Sequence, residues 1–223
     1  MSNEDRNSDV EPTTRERLLE AGMEQFATKG FQKTTVRDLC KQADANLNAI
    51  KHHYGDKWEL YLAVLERCRT EGGTCTDPEI PPDASAEKQL QLFVHAVVKT
   101  MFKRRQSSVG RFGFQLMMRE IQNPTGALKI GMGFFIMPLW KQLNSILEQL
   151  LPDDVDPVTQ HLLAFTVLGQ INSYRFNDPI MRFVISKTEY DRISAKRVAD
   201  HITRVTLAAA RSYHLDPEDD QAK

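Results

Sequence analysis

The stretch Thr34-Thr35-Val36-Arg37-Asp38-Leu39-Cys40-Lys41-Gln42-Ala43-Asp44-Ala45-Asn46-Leu47-Asn48-Ala49-Ile50-Lys51-His52-His53-Tyr54-Gly55-Asp56-Lys57 decides how the chain is read. Thr35 with Asp38 three residues on starts a short helix, about 36 to 43. Ala43-Asp44-Ala45-Asn46 reads as a tight turn. Asn46 can cap a second short helix, about 47 to 53, which Tyr54-Gly55-Asp56 breaks. Asp56 with Glu59 caps a longer helix that runs to about Thr70. Two short helices across a turn of about three or four residues form a helix-turn-helix. The second can lie in the DNA major groove, which is about 12 Å wide and admits one helix. Six Lys/Arg face three Asp between Thr28 and Lys57, a modest basic stretch of net charge +3.

Upstream, Thr13-Thr14-Arg15-Glu16 is a capping box. Leu18, Leu19, Gly22, Met23 and Phe26 follow at helical spacing, and Lys29-Gly30 ends the helix. Residues 1–12 are polar and acidic and read as a disordered tail, not as a secretory leader. The N-terminal domain is thus expected over 13–70.

Several residues of this domain closely resemble the TetR family of transcriptional regulators: Phe26-Ala27-Thr28-Lys29-Gly30-Phe31, Thr34-Thr35-Val36-Arg37-Asp38-Leu39, Ala43, and His52-His53-Tyr54-Gly55-Asp56-Lys57 with Glu59-Leu60. The match is dense from 14 to about 66. It departs at Asp44, where the family usually has Gly; Asp tolerates the left-handed region better than most residues. It departs again at Leu47 and Lys51, so base preferences are not carried over. By resemblance, Thr35 caps its helix and meets a DNA phosphate, although a cap alone would account for it. Lys57 likewise contacts a phosphate, and His52 and His53 touch the backbone. Arg37 adds a backbone contact. Asn46, Asn48, Ala49 and Lys51 are the candidates for base edges: Asn pairs with adenine, Ala meets a thymine methyl, Lys reaches guanine. Tyr54 and Phe31 read as core. Asn46-Leu47-Asn48-Ala49-Ile50, with Arg119-Glu120 and Pro124-Thr125, resembles the CerR-like (YbiH-like) subset.

Residues 71–85, with two Gly and three Pro, read as a loop. Beyond them a larger helical domain is expected over 86–215, followed by a disordered tail, 216–223. Leu90, Phe93, Val94, Val97, Val98 and Met101 share one helix face. A second helix spans Val109 to Gln122. A long one runs from Leu128 to Leu150, with Pro138 inside it as a kink. The helix from Pro157 is apolar nearly all round and must be covered on two sides. With the last helix, about Ser194 to Tyr213, it is the expected homodimer face (157–177 and 194–213), which the resemblance also implies. The helices over 86–150 can enclose a pocket for a small-molecule effector. Met101, Phe112, Met117, Phe135 and Trp140 are candidate walls; His95, Arg119, Gln170, Asn172 and Arg175 are candidate anchors. Arg119-Glu120 equally reads as an ion pair, and Arg175 as part of the dimer face.

The chain of 223 residues is thus read as all-α: an N-terminal three-helix DNA-binding domain plus a larger ligand-binding and dimerisation domain. Twenty-nine Lys/Arg against 30 Asp/Glu exclude a histone-like polycation. Cys40, Cys68 and Cys75 form no C-x-x-C pair, which argues against a zinc ribbon or a disulfide scaffold. No apolar run is long enough to span a membrane. With no G-x-S-x-G, P-loop or H-E-x-x-H, no enzyme, metal or cofactor is expected. The expected protein is a cytoplasmic homodimeric repressor on a palindromic double-stranded operator, released by an unknown small molecule. The alternative is a helical interaction or ligand-binding module that reads no DNA.

Overall fold

The computed structural model describes residues 11–71, 78–127, 129, 133 and 136–215, and shows eleven α-helices and no strand among them. In chain order these are α1 (Thr14–Lys29), α2 (Val36–Gln42), α3 (Ala49–Tyr54), α4 (Lys57–Thr70), α5 (Ala86–Gln106) and α6 (Ser108–Gln122), then α7 (Met137–Glu148), α8 (Pro157–Phe176), α9 (Asp178–Val184), α10 (Lys187–Tyr190) and α11 (Ala195–Ser212). They form two compact units. The first holds α1–α4 together with α6; the second holds α5 and α7–α11. The sequence boundaries placed α6 with 86–215, whereas the structure groups it with the N-terminal helices. The expectations for both chain tails and for part of the 71–85 loop fall outside the described residues.

The first unit is built on α1. The Thr13–Glu16 capping box starts that helix, and Gly30 ends it at φ 81°, a conformation that favours glycine. Leu18, Met23, Phe26, Leu39, Ile50, Leu60, Tyr61, Val64 and Leu116 are buried together. Each such side chain is worth about 1.5–3 kcal/mol when fully buried. Gly22 lets α1 and α4 meet closely, since a Cβ there would sit 2.9 Å from Val64 Cγ2. Phe26, Phe31, Trp58 and Tyr61 form an aromatic cluster with ring centroids 4.9–6.0 Å apart.

α6 belongs here for identifiable reasons. Leu116 is fully buried in this core. Arg119 donates from Nε to Ala27 O at 2.6 Å and from a terminal nitrogen to Thr28 O. It thereby satisfies carbonyls at the C-terminal end of α1. Buried Glu120 accepts from Tyr61 Oη at 2.5 Å and from the Thr125 N–H at 3.0 Å. Burial and the adjacent Glu120 carboxylate push the Tyr61 hydroxyl far up from its ordinary pKa. Arg119 and Glu120 therefore serve two different anchors.

In the second unit, Leu90, Phe93, Val94, Val98 and Met101 of α5 pack with Leu143, Ile146 and Leu147 of α7, Leu163, Val167 and Ile171 of α8, and Val198 and Ile202 of α11. Most of the stretch before Pro138, on which the expected kink depends, lies outside the described residues. Pro138 sits in the first turn of α7, where its missing N–H is harmless. Asp156 caps α8, accepting from the Val158 and Thr159 N–H groups at 2.9 and 3.3 Å. The short helices α9 and α10 have no counterpart in the sequence reading; at seven and four residues they are too short to show a helical period.

Candidate nucleic-acid interface

The elements that would meet DNA are set from α1 outward. The Thr35 hydroxyl accepts from the Asp38 N–H at 3.1 Å, and the Thr35 N–H points back at the Asp38 carboxylate. That bonding from Thr35, helped by Lys29, holds the Asp38 carboxyl below its ordinary pKa. The far end of α2 is held by Arg17, whose Nε donates to Ala43 O at 2.9 Å. A cation at a helix C-terminus also suits the helix dipole. The turn follows with Asp44 at φ 46°, the left-handed conformation expected there. Asn46 caps this turn, not the helix: its Oδ1 accepts from the Asn48 N–H at 3.0 Å. Helix α3 accordingly starts at Ala49, two residues later than the sequence suggested. Tyr54 Oη donates to Arg15 O at 2.7 Å and fixes the end of α3 to α1.

This bracing decides which side chains face outward. Asn46, Asn48, Lys51 and His52 are exposed, as are Thr35 and Arg37 at the start of α2. His53 is half-buried, its ring edge-on to that of His52 at 4.6 Å. Two sequence expectations change. Ala49 is only 6 % exposed and packs in the core with Ile50, so its methyl is not offered to a base edge. Lys57 turns inward: its Nζ donates to Phe31 O and Thr34 O, both at 3.0 Å, and lies 4.3 Å from the Phe31 ring centre. Burial lowers its pKa. Two of its three donors hold the loop before α2, so a phosphate contact has at most the third.

Sequence reasoning missed Leu47. It is 58 % exposed, between Asn46 and Asn48, and supplies the outward apolar group that Ala49 does not. A Leu in a polar turn was itself the signal. The bracing by Arg17 and Tyr54 was also missed, because partners 26 and 39 residues apart have no sequence signature.

The candidate effector residues divide between the two units. Phe112, Met117 and Arg119 lie on α6 in the first unit, with Arg119 committed to α1. In the second unit, Met101 is part of the packed core. His95 pairs with Asp200 at 2.9 Å, linking α5 to α11. Trp140 packs against Phe165 at 4.7 Å and His161 at 5.5 Å. Gln170 is half-buried and Asn172 exposed. Arg175 is half-buried, and its pKa is lowered to about 10 by burial and by Arg104 and Arg105. Phe135 lies outside the described residues. An open cleft of about 460 Å³ in this unit is lined instead by Tyr174, Glu189, Arg192, Ile193, Arg197, Val198 and His201. Among the described residues no cluster of three or more His, Cys, Asp and Glu is placed to hold a metal. No helix there is long and apolar enough to cross a membrane.

A unit in which two short helices are braced about a left-handed turn, with an open polar row at the second, is a helix-turn-helix unit of the kind DNA-binding regulators use. The comparisons with known proteins agree. Residues 18–64 match the family described as bacterial regulatory proteins, tetR family. Residues 86–211 match the C-terminal domain of the HTH-type transcriptional dual regulator CecR. The chain belongs to the TetR family of transcriptional regulators, with a CecR-type C-terminal domain. The dual regulator CecR of Shigella flexneri is 22 % identical over 200 residues, covering 85 % of this chain and 87 % of that one. The transcriptional repressor AcnR of Corynebacterium efficiens is 39 % identical over 51 residues, 23 % of this chain and 27 % of that one. Among solved structures, a SmeT–triclosan complex shares the fold with a TM-score of 0.60 at 19 % identity, over 88 % of this chain and 90 % of that one.

Proposed function

We propose that the protein is a cytoplasmic homodimeric repressor that binds a palindromic operator and is released by a small molecule held in the second unit. The observation that carries the DNA reading is the outward row Asn46, Leu47, Asn48, Lys51 and His52, left open while Ala49 and Ile50 fix the other side of α3 in the core. Asn and Lys side chains in such a row hydrogen-bond purine edges, and a Leu suits a thymine methyl. Thr35 and Arg37 would flank it as phosphate contacts.

One such helix reads only a half-site, so a second copy is required for an operator. The outer side of α8 supports that partner. Val158, Leu162, Phe165 and Phe176 are exposed along one face, and Phe165 is 64 % exposed. Gly169 on the same face has open space where a Cβ would stand, which suits close helix approach. Val205 of α11 is exposed as well. An apolar row of this size on a soluble helix fits a self-complementary two-fold interface. Release would follow from an effector that favours a dimer geometry mismatched to the operator; each tenfold loss of operator affinity needs about 1.4 kcal/mol of differential binding.

The test is selection of bound sequences from random double-stranded DNA at moderate salt. A palindromic consensus is expected for the whole protein, and none for an Asn48→Ala, Lys51→Ala double variant. A folded, dimeric protein that enriches no sequence would overturn the proposal.

A further inference from the structure

The short helix α9 has two unlike sides. Asp178 and Arg182 share one of them, four residues apart, and are held there. Asp178 pairs with Arg105 at the end of α5 and with Arg182 at 3.0 Å, and it accepts from the Tyr190 hydroxyl of α10. Arg182 also covers the Tyr190 ring at 4.4 Å, and Arg105 donates to the Tyr190 hydroxyl at 3.2 Å. Ile180, Phe183 and Val184 fall at i, i+3 and i+4, which is the opposite side. All three are more than half exposed, and Phe183 is 90 % exposed.

An isolated helix of seven residues does not hold together in water. The ionic side of α9 supplies what it lacks, by tying the helix to α5 and α10. Single apolar side chains at a surface are ordinary, but three on one face of a helix pinned in place mark a contact site.

The same unit carries a second uncovered apolar face, formed by Val158, Leu162 and Phe165 of α8. A stable two-fold interface buries about 800 Å² per partner, of which roughly 500 Å² is apolar in homodimers. At about 200 Å² for a Phe and about 100 Å² for an aliphatic side chain, the exposed parts of the α8 face supply roughly 250 Å². That is about half of what such a dimer needs. On the same scale the α9 face supplies roughly 300 Å², which meets the remainder. The two faces also lie on either side of Gly169, where there is open space for a close helix approach. Leu162 stands seven residues before Gly169, about 10 Å along the axis, and α8 ends seven residues after it. Two antiparallel α8 helices crossing at Gly169 about a two-fold axis therefore bring the start of α9 in each copy beside Leu162 of the other.

We infer that α9 is a dimerisation arm, docking through Ile180, Phe183 and Val184 on the Val158–Phe165 stretch of α8 in a second copy of this chain. This rests on the homodimer reading above and adds to it a surface outside the expected faces at 157–177 and 194–213. Each two-fold interface holds the contact twice.

The test is sedimentation equilibrium of the whole chain with two charged variants, Phe183→Lys and Leu162→Glu, measured separately and mixed. Far-UV dichroism and the urea midpoint confirm that each is folded. Each variant alone spoils both copies of the contact and should dimerise at least about 100-fold more weakly than the parent. Mixed, they can form a heterodimer in which one contact is the parental Phe183 on Leu162 and the other sets the introduced Lys against the introduced Glu. The mixture should therefore regain dimers at concentrations where either variant alone is monomeric. Phe183→Lys dimerising as tightly as the parent would overturn the inference and leave α9 to a different partner. So would a mixture that stays monomeric, because the two positions then do not meet. In both cases a parent that is dimeric keeps the homodimer reading intact; a parent that is itself monomeric removes that reading and the arm with it.

Discussion

Lys57→Met separates a side chain that braces the DNA-binding unit from one that grips DNA. The ammonium makes two bonds of 3.0 Å to carbonyls in the loop before α2, and a cation–π contact with Phe31. Bonds from a charged donor are worth about 1.5–3 kcal/mol when buried. The group is only half-buried, so about 2 kcal/mol for the pair is the fair figure, and the Phe31 contact adds about 0.5 kcal/mol. Methionine keeps the apolar stem and removes both. At a urea dependence of about 2 kcal/mol per molar, the unfolding midpoint should fall by about 1 M. The assay pairs that midpoint with the salt dependence of affinity for the selected operator. Each phosphate neutralised contributes about 0.9 to the slope of log affinity against log salt, so one contact per protomer gives about 1.8 for a dimer. Lys57→Met should lower the midpoint and leave the slope within about 0.5 of the parent. Arg37→Met should do the reverse, lowering the slope by about 1.8 with stability within about 0.5 kcal/mol, since Arg37 is exposed on α2. A Lys57→Met protein of unchanged midpoint and a slope reduced by about 1.8 would refute the bracing argument.

Other outcomes follow from the same geometry. Tyr61→Phe removes the 2.5 Å bond to buried Glu120 and should destabilise the first unit by about 1–3 kcal/mol, read from urea unfolding followed by Trp58 fluorescence. A Leu162→Asp, Phe165→Asp pair puts charge on the exposed face of α8 and should sediment as a folded monomer with weakened operator binding; an unchanged dimer would move the interface elsewhere. Burial alone would raise the Asp178 pKa, but Tyr190, Arg182 and Arg105 hold it below the ordinary value. A depressed folded pKa gives stability that is full above about pH 3.9 and is lost as pH falls through the folded value. The stability difference between the parent and Asp178→Asn should therefore be flat from about pH 7 to 4.5 and shrink below about 3.9, as thermal melts across that range would record.

What was legible in the sequence was local chemistry. The Thr13–Glu16 and Thr35–Asp38 capping boxes, the left-handed Asp44 and the ends at Gly30 and Gly55 are set by residues within a few positions of each other. The all-helical class and the two apolar sides of α8 followed from periodicity. Long-range placement was not legible. Nothing near Ala49 says that it faces the core, because two helical residues do not define a buried side. Lys57 opens a helix in a basic stretch, which reads as a phosphate contact until the fold brings Phe31 O and Thr34 O beneath it. Arg119-Glu120 looks like a neighbouring pair, yet the two side chains serve anchors that lie 92 and 59 residues away along the chain. An effector site is the hardest feature to read from sequence: Met, Phe and Arg at core spacing look alike whether they line a site, fill a core or cap a helix.

The membership of α6 in the first unit has a consequence for how such proteins recombine. The chain enters the second unit after α4, returns for α6 and leaves again for α7, so the units are joined at three crossings and cannot be exchanged at one. A chimera that takes only α1–α4 from a relative would set this chain's Leu116, Arg119 and Glu120 against foreign residues in place of Phe26, Ala27 and Tyr61, and would have to re-evolve those contacts before it read DNA. Exchange of specificity within this architecture is therefore expected to proceed by point changes at exposed Leu47, Asn48, Lys51 and His52, while Asn46 keeps the turn and Ala49 and Ile50 keep the core.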